Sequence, residues 1–153
     1  MRILGIDPGI ERVGWGIVDA INGDSIYQEC GCIKTSKDAP HSERIATISK
    51  ELREIIQKFK PDKAIVEKLF FAKNKKTALS VSEARGAILL ILSEANIAMQ
   101  EFTPLQVKLG LTGNGRAEKK QVEWVVKNIL KIKHEIRSDD AYDALALCLM
   151  VRK

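Results

Sequence analysis

Four acids in this chain have the type and placement to do chemistry. Asp140 and Asp143 lie one helical turn apart in Ser-Asp-Asp-Ala-Tyr-Asp-Ala-Leu-Ala-Leu. Asp7 closes an apolar opening in Gly-Ile-Asp-Pro-Gly, and Glu67 ends another apolar run, Ala-Ile-Val-Glu-Lys. Mg²⁺ takes hard carboxylate oxygens and keeps several waters. Two such ions roughly 4 Å apart clamp the attacking and leaving oxygens of an in-line displacement at phosphorus. One helix cannot surround a metal pair, so acids from several segments are what that chemistry needs. Each acid alone has a bland reading. Asp7 before Pro-Gly initiates a turn, Glu67 is a surface acid, and Asp140 and Asp143 are helix-start charges. Their joint order along the chain is the stronger signal. Asp139, about a third of a turn from Asp140, reads as an N-terminal helix charge favoured by the macrodipole.

The rest of the chain is basic. Its 153 residues carry 25 Lys+Arg against 20 Asp+Glu, a net charge of +5. The excess sits in two segments between the acids. The first holds Lys68, Lys73, Lys75, Lys76 and Arg85 against Glu83 alone; the second, residues 103–137, includes Lys108, Arg116 and Lys119. Basic runs flanking a carboxylate cluster suit phosphate binding. Phe70-Phe71 precedes Lys73, Lys75 and Lys76, and a ring exposed there would stack on an unpaired base. Gly113-Asn-Gly-Arg-Ala-Glu-Lys-Lys120 places a glycine hinge and cations at a helix start, which favours phosphate.

These groups need elements to position them. Arg2 to Asp7 reads as a short buried strand turned by Pro8-Gly9. Val13, Trp15 and Ile17 alternate with Gly14, Gly16 and Val18 in a second strand. Asn22-Gly23 is a hairpin turn, so Ser25 to Thr35 forms a third, antiparallel strand. Ile45, Ile48, Leu52, Ile55, Ile56 and Phe59 stripe a helix over 42–60, and Pro61-Asp62 ends it. Lys63 to Glu67 is a fourth strand, Ser80 to Glu94 a second helix, and Ile97 to Phe102 a fifth strand. Then come a short helix over 105–111, a helix over 116–130 with Val122, Val125, Val126, Ile129 and Leu130 inward, and a last helix capped by Ser138. The expectation is one α/β domain over 1–153, a five-stranded mixed sheet flanked by helices.

No apolar stretch reaches the roughly 18 residues of a membrane span. The opening Met-Arg-Ile-Leu-Gly-Ile-Asp reads as strand, not as a signal peptide. Cys30, Cys32 and Cys148 read as small buried hydrophobes of a reducing cytoplasm. His41 and His134 show no metal-ligand spacing.

Taken together these residues resemble the RuvC family of bacterial Holliday junction resolvases. The resemblance runs through Gly5-Ile-Asp-Pro-Gly9 with Gly14-Trp-Gly16, Val66-Glu67 with Phe70 and Ala72-Lys73-Asn74, Ala84-Arg-Gly86, Gln106-Val-Lys108, Ala117-Glu-Lys119 with Gln121-Val122, and Asp140-Ala-Tyr-Asp143-Ala-Leu-Ala146. It implies a ribonuclease H-like fold and a cytoplasmic homodimer that nicks four-way DNA junctions in pairs. Asp7, Glu67, Asp140 and Asp143 fall on the family's catalytic acids, which hold Mg²⁺, two ions per subunit, with Mn²⁺ as a substitute. Phe70 falls on the aromatic that stacks at the junction centre, and Lys108 and Lys119 on basic residues near the scissile phosphate. The helix containing Arg85 contributes to the dimer interface, and RuvA and RuvB are the branch-migration partners. Tyr142 departs from the small residue expected between the last two acids.

Three other readings share some of these features. A YqgF-like nuclease would use the same fold on structured RNA. The sugar-kinase and actin superfamily also begins with Asp-x-Gly after a strand, but needs two such lobes. A binding module without chemistry would not need four acids in this order.

Overall fold

The structure, a computed structural model, describes residues 1–69 and 75–151, with Lys75 and Lys76 described in backbone only. Strands β1 (Arg2–Asp7), β2 (Arg12–Ile21) and β3 (Asp24–Lys34) form an antiparallel meander. Asn22 and Gly23 both take positive φ, 52° and 91°, as the tight β2–β3 turn demands. Helix α1 (His41–Phe59) ends at Lys60, which turns left-handed and donates its N–H to the Ile56 carbonyl. The chain then enters β4 (Lys63–Glu67), α2 (Lys75–Glu94) and β5 (Ala98–Phe102). Helices α3 (Pro104–Thr112), α4 (Lys119–Ile129) and α5 (Asp139–Cys148) follow. The sheet order is β3-β2-β1-β4-β5, with β1, β4 and β5 mutually parallel.

Strand alternation splits the core in two. Leu4, Ile6, Val13, Ile17, Ala64 and Val66 face α1 and α2 together with Ile48, Leu52, Ile88 and Leu92. Ile3, Val18 and Ile65 face the other way and pack with Val107, Val122, Val126, Leu145 and Leu147. Fully burying each such side chain stabilises by about 1.5–3 kcal/mol. Both halves of the sheet therefore hold a helix layer, and α5 is the helix that crosses β1 and β2.

Some boundaries depart from expectation. Helix α2 begins at Lys75 rather than Ser80. Helix α4 begins at Lys119 rather than Arg116. The Asn114 side chain accepts the Arg116 N–H at 2.9 Å, and the Gln121 side chain accepts the Glu118 N–H at 2.8 Å. These side-chain bonds hold 114–118 outside the helix. Ile129 is exposed rather than inward and Val125 only half-buried, whereas Leu130 is buried as expected and Ile132 reaches the core beyond the left-handed turn at Lys131. Ser138 is the N-cap residue of α5, but its hydroxyl does not reach the helix N–H groups; its neighbour is the Cys32 thiol.

Candidate active site

Asp7 and Glu67 are the last residues of β1 and β4, which are parallel neighbours paired Ile6 to Val66. Their carboxylates therefore emerge side by side at one edge of the sheet. Opposite Asp7, on β2, stands Gly14. A side chain at Gly5 or Gly14 would collide with the backbone of α5, at Ala144 and Asp140 respectively. These two glycines leave α5 no layer of side chains to climb over. That close approach brings Asp140 and Asp143 onto Asp7. Tyr142, between them, points into the core.

Asp7 is held well above the usual carboxylate range, first by burial, then by the charges of Glu67 and Asp143. Glu67 stands within hydrogen-bonding reach of Asp7, which adds to the rise. Burial raises Glu67 as well, and the Asp143 charge adds to this, against the help of the Asp7 hydrogen bond and Lys119. Burial also raises Asp143, although Lys119 Nζ donates to it at 3.0 Å. For Lys119 burial favours the neutral form, but Asp143, Asp139 and Asp140 outweigh it and raise the ammonium's pKa. Asp140 faces Arg12, with Nη1 at 3.6 Å, and the Cys32 thiol at 3.9 Å. Asp139 is 71% exposed and reaches Lys119 only at 3.7 Å, outside the cluster.

Among the described residues no three His, Cys, Asp or Glu side chains are already drawn into a closed ligand set. The donors do fit a hard divalent cation in chemistry. They are carboxylates on three elements, crowded enough that Asp7, Glu67 and Asp143 all have raised pKa values and Asp143 leans on Lys119. A cation at that edge would relieve the repulsion among them.

Glu67 and Asp143 open into a pocket of about 200 Å³ lined also by Lys108, Lys119, Pro104, Val107 and Val122. Lys108 and Lys119 thus share one pocket with two of the acids. A larger groove of about 680 Å³ runs between α1 and the β2–β3 ribbon, past Trp15 and Phe59. It contains none of the four acids, whereas the smaller pocket takes in Glu67 and Asp143.

Not every expected DNA contact is at the site. Arg85 is 19% exposed and paired with Glu101, so it ties α2 to β5 instead of facing phosphate. Arg116 is exposed on the loop before α4. Phe70 and Lys73 lie outside the described residues, as do the side chains of Lys75 and Lys76. The sequence does not single out Arg12, and it offers Cys32 only as a small buried hydrophobe and Gly5 and Gly14 only as parts of the family's motifs, with no hint that they lie against α5. Their signal is the pairing of Asp7, Gly14 and Cys32 across three strands, which only register discloses.

A family model described as crossover junction endodeoxyribonuclease RuvC matches residues 3–151. A RuvC of Borrelia turicatae is 48% identical over 151 residues, covering 97% of this chain and 94% of that one. A RuvC of Fusobacterium nucleatum is 46% identical over 149 residues, covering 97% and 78%. The Thermus thermophilus RuvC in complex with Holliday junction substrate superposes with a TM-score of 0.90 at 35% identity, covering 97% and 91%. The yeast mitochondrial resolvase Ydc2, at 14% identity and a TM-score of 0.69, shares the fold.

Proposed function

The chain belongs to the RuvC family, the crossover junction endodeoxyribonucleases, and from that membership and the site we infer that it resolves four-way DNA junctions as a divalent-metal-dependent endonuclease. The observation that carries the reading is the meeting of Asp7, Glu67, Asp140 and Asp143 from three elements beside Lys108 and Lys119. The RNA-directed alternative is not favoured, because the family whose model spans the chain is one of DNA junction endonucleases.

Asp7, Glu67, Asp140 and Asp143 are the residues that would hold Mg²⁺, as two ions, with Mn²⁺ able to substitute. When bound, the metal supplies Lewis-acid stabilisation at phosphorus and a more acidic attacking water. The chain's own side chains do the remaining work. Asp7, at the end of β1, would stand among the ligands with Glu67 beside it. Lys119, held by Asp143, and Lys108 across the pocket present fixed positive charge to the scissile phosphate. Such charge, oriented beforehand, stabilises the extra negative charge of the transition state. The surrounding basic surface draws in the polyanion. Phe70 stacks on bases at the junction centre, and Lys73, Lys75 and Lys76 bind nearby phosphates.

Two symmetric cuts call for two sites related by a two-fold axis. Helix α2 leaves Leu79 and Leu90 69% and 58% exposed. With Gly86 between them they form an outward stripe that suits a homodimer. The enzyme acts in the cytoplasm with RuvA and RuvB; no helix among the described residues is long and apolar enough to cross a membrane. The test is four-way junction DNA incubated with the protein and either Mg²⁺ or EDTA. Paired nicks with Mg²⁺ and none with EDTA support the reading. Metal-independent cutting, or cutting of structured RNA in preference to junctions, defeats it.

A further inference from the structure

A second basic surface adjoins Asp140 on the side away from the lysine-lined pocket. Arg12 and Lys34 are directly opposed in the β2–β3 ladder, on the sheet face that α5 covers. Like charges opposite each other on one face repel, and here both side chains are exposed. Arg12 is anchored at one end by Asp140, 3.6 Å away. Lys34 lines a groove of about 410 Å³ with Arg137, His134, Cys32 and Ser138, and Glu135 is the one acid of its lining. The His134 ring packs against Tyr27, centroids 5.4 Å apart, and gives the groove a flat wall. Among the described residues neither Lys34 nor Arg137 has an ion-pair partner, whereas nearby Lys37 is tied to Glu11 at 3.4 Å. Three cations thus lead away from a metal-binding acid, two of them uncompensated and two set against each other.

We propose that this groove is a phosphate track for the strand being cut. Arg12, Lys34 and Arg137 hold phosphodiesters flanking the scissile one, on the side opposite Lys108 and Lys119. The assignment rests on reading the chain as a junction endonuclease and adds the path the substrate strand takes across it. The track sets strand register, and chemistry stays with the four acids.

The test uses a Lys34→Ala/Arg137→Ala double variant, since neither residue touches the acids. Junction affinity is measured in EDTA between 50 and 200 mM salt. Each lost phosphate contact reduces the logarithmic salt slope by roughly 0.9, so the fourfold rise in salt should cost the variant about tenfold less affinity than wild type. Junctions with one neutral methylphosphonate at each of the first three linkages on either side of the cut locate the contacts. Wild type should lose affinity for neutral linkages on one flank, and the variant should be indifferent to those same linkages. At saturating protein and Mg²⁺ the variant should still cut. An unchanged salt slope, or equal sensitivity of both proteins at every linkage, overturns the track while wild-type cutting upholds the nuclease. A wild-type protein that neither binds nor cuts junctions overturns both.

Discussion

Replacing Gly14 by alanine should disable the site without touching any of its acids. A Cβ at Gly14 would lie 1.9 Å from the Asp140 carbonyl oxygen, and real Cβ contacts begin at 3.0–3.4 Å. The start of α5 must therefore rise by 1.1 to 1.5 Å, because the obstacle is backbone and has no rotamer to yield. Asp140 and Asp143 ride on that helix, while Asp7 and Glu67 stay with the sheet. A misplacement of about 1 Å costs on the order of 100-fold in rate, or about 2.7 kcal/mol of barrier. Overpacking adds a stability loss of about 1–3 kcal/mol, a fall in Tm of roughly 2–12 °C for a domain this size. Gly115→Ala is the control. Its Cβ first meets the tip of the exposed Leu105 side chain, at 2.7 Å, which can turn aside. The assay is single-turnover junction cleavage at saturating Mg²⁺, with junction binding in EDTA and a melt of each variant. Gly14→Ala should bind junctions normally and cut about 100-fold more slowly, with Gly115→Ala close to wild type. Cutting by Gly14→Ala within threefold of wild type would refute the claim that these glycines set the carboxylate spacing.

Five further outcomes are expected. Asp7→Asn, Glu67→Gln, Asp140→Asn and Asp143→Asn should each abolish or severely slow cleavage and leave junction binding intact; two variants cutting at near wild-type rates would show the wrong acids are assigned. In EDTA, Asp7, Glu67 and Asp143 carry raised pKa values. Their contribution to stability is therefore complete below the unfolded carboxyl range and is lost as pH rises through the folded values. Asp7→Asn should flatten that decline in a series of melts, and an unchanged slope would contradict the Asp7 assignment. Added Mg²⁺ at a hundred times its Kd should restore about 2.7 kcal/mol, roughly 5–11 °C in Tm, and more strongly at higher pH; a Tm indifferent to Mg²⁺ would count against a metal site here. Leu90→Glu should yield a monomer by sedimentation, and an unmodified chain that is already monomeric at micromolar concentration would defeat the dimer. Phe70→Ala should fold and bind but cleave poorly, whereas Phe71→Ala should lower Tm; the reverse pattern would exchange their roles.

The sequence alone determined whatever depends on near neighbours along the chain. The period-2 strands, the Asn22-Gly23 turn, the α1 stripe and its stop at Pro61 are local, and the structure repeats them. The family's motifs likewise disclosed the acids, because each lies in a short run of its own. Helix starts were less legible. Whether α4 begins at Arg116 or Lys119 is decided by which side chains, Asn114 and Gln121, capture free N–H groups. Ile129 has the spacing of an inward residue, but it is exposed at the end of α4, and Ile132, beyond the turn at Lys131, is buried instead. Only the tertiary structure decided what the charged groups face. Arg85 and Glu101 lie on different elements, and packing of α2 against β5 converts an expected DNA contact into an internal ion pair. Gly14 and Cys32 become neighbours of Asp140 through strand register and the close approach of α5. Side-chain periodicity is a property of one segment, whereas the distance between two carboxylates on different segments is set by how closely their backbones pack. Here that distance is governed by residues that contribute no side chain.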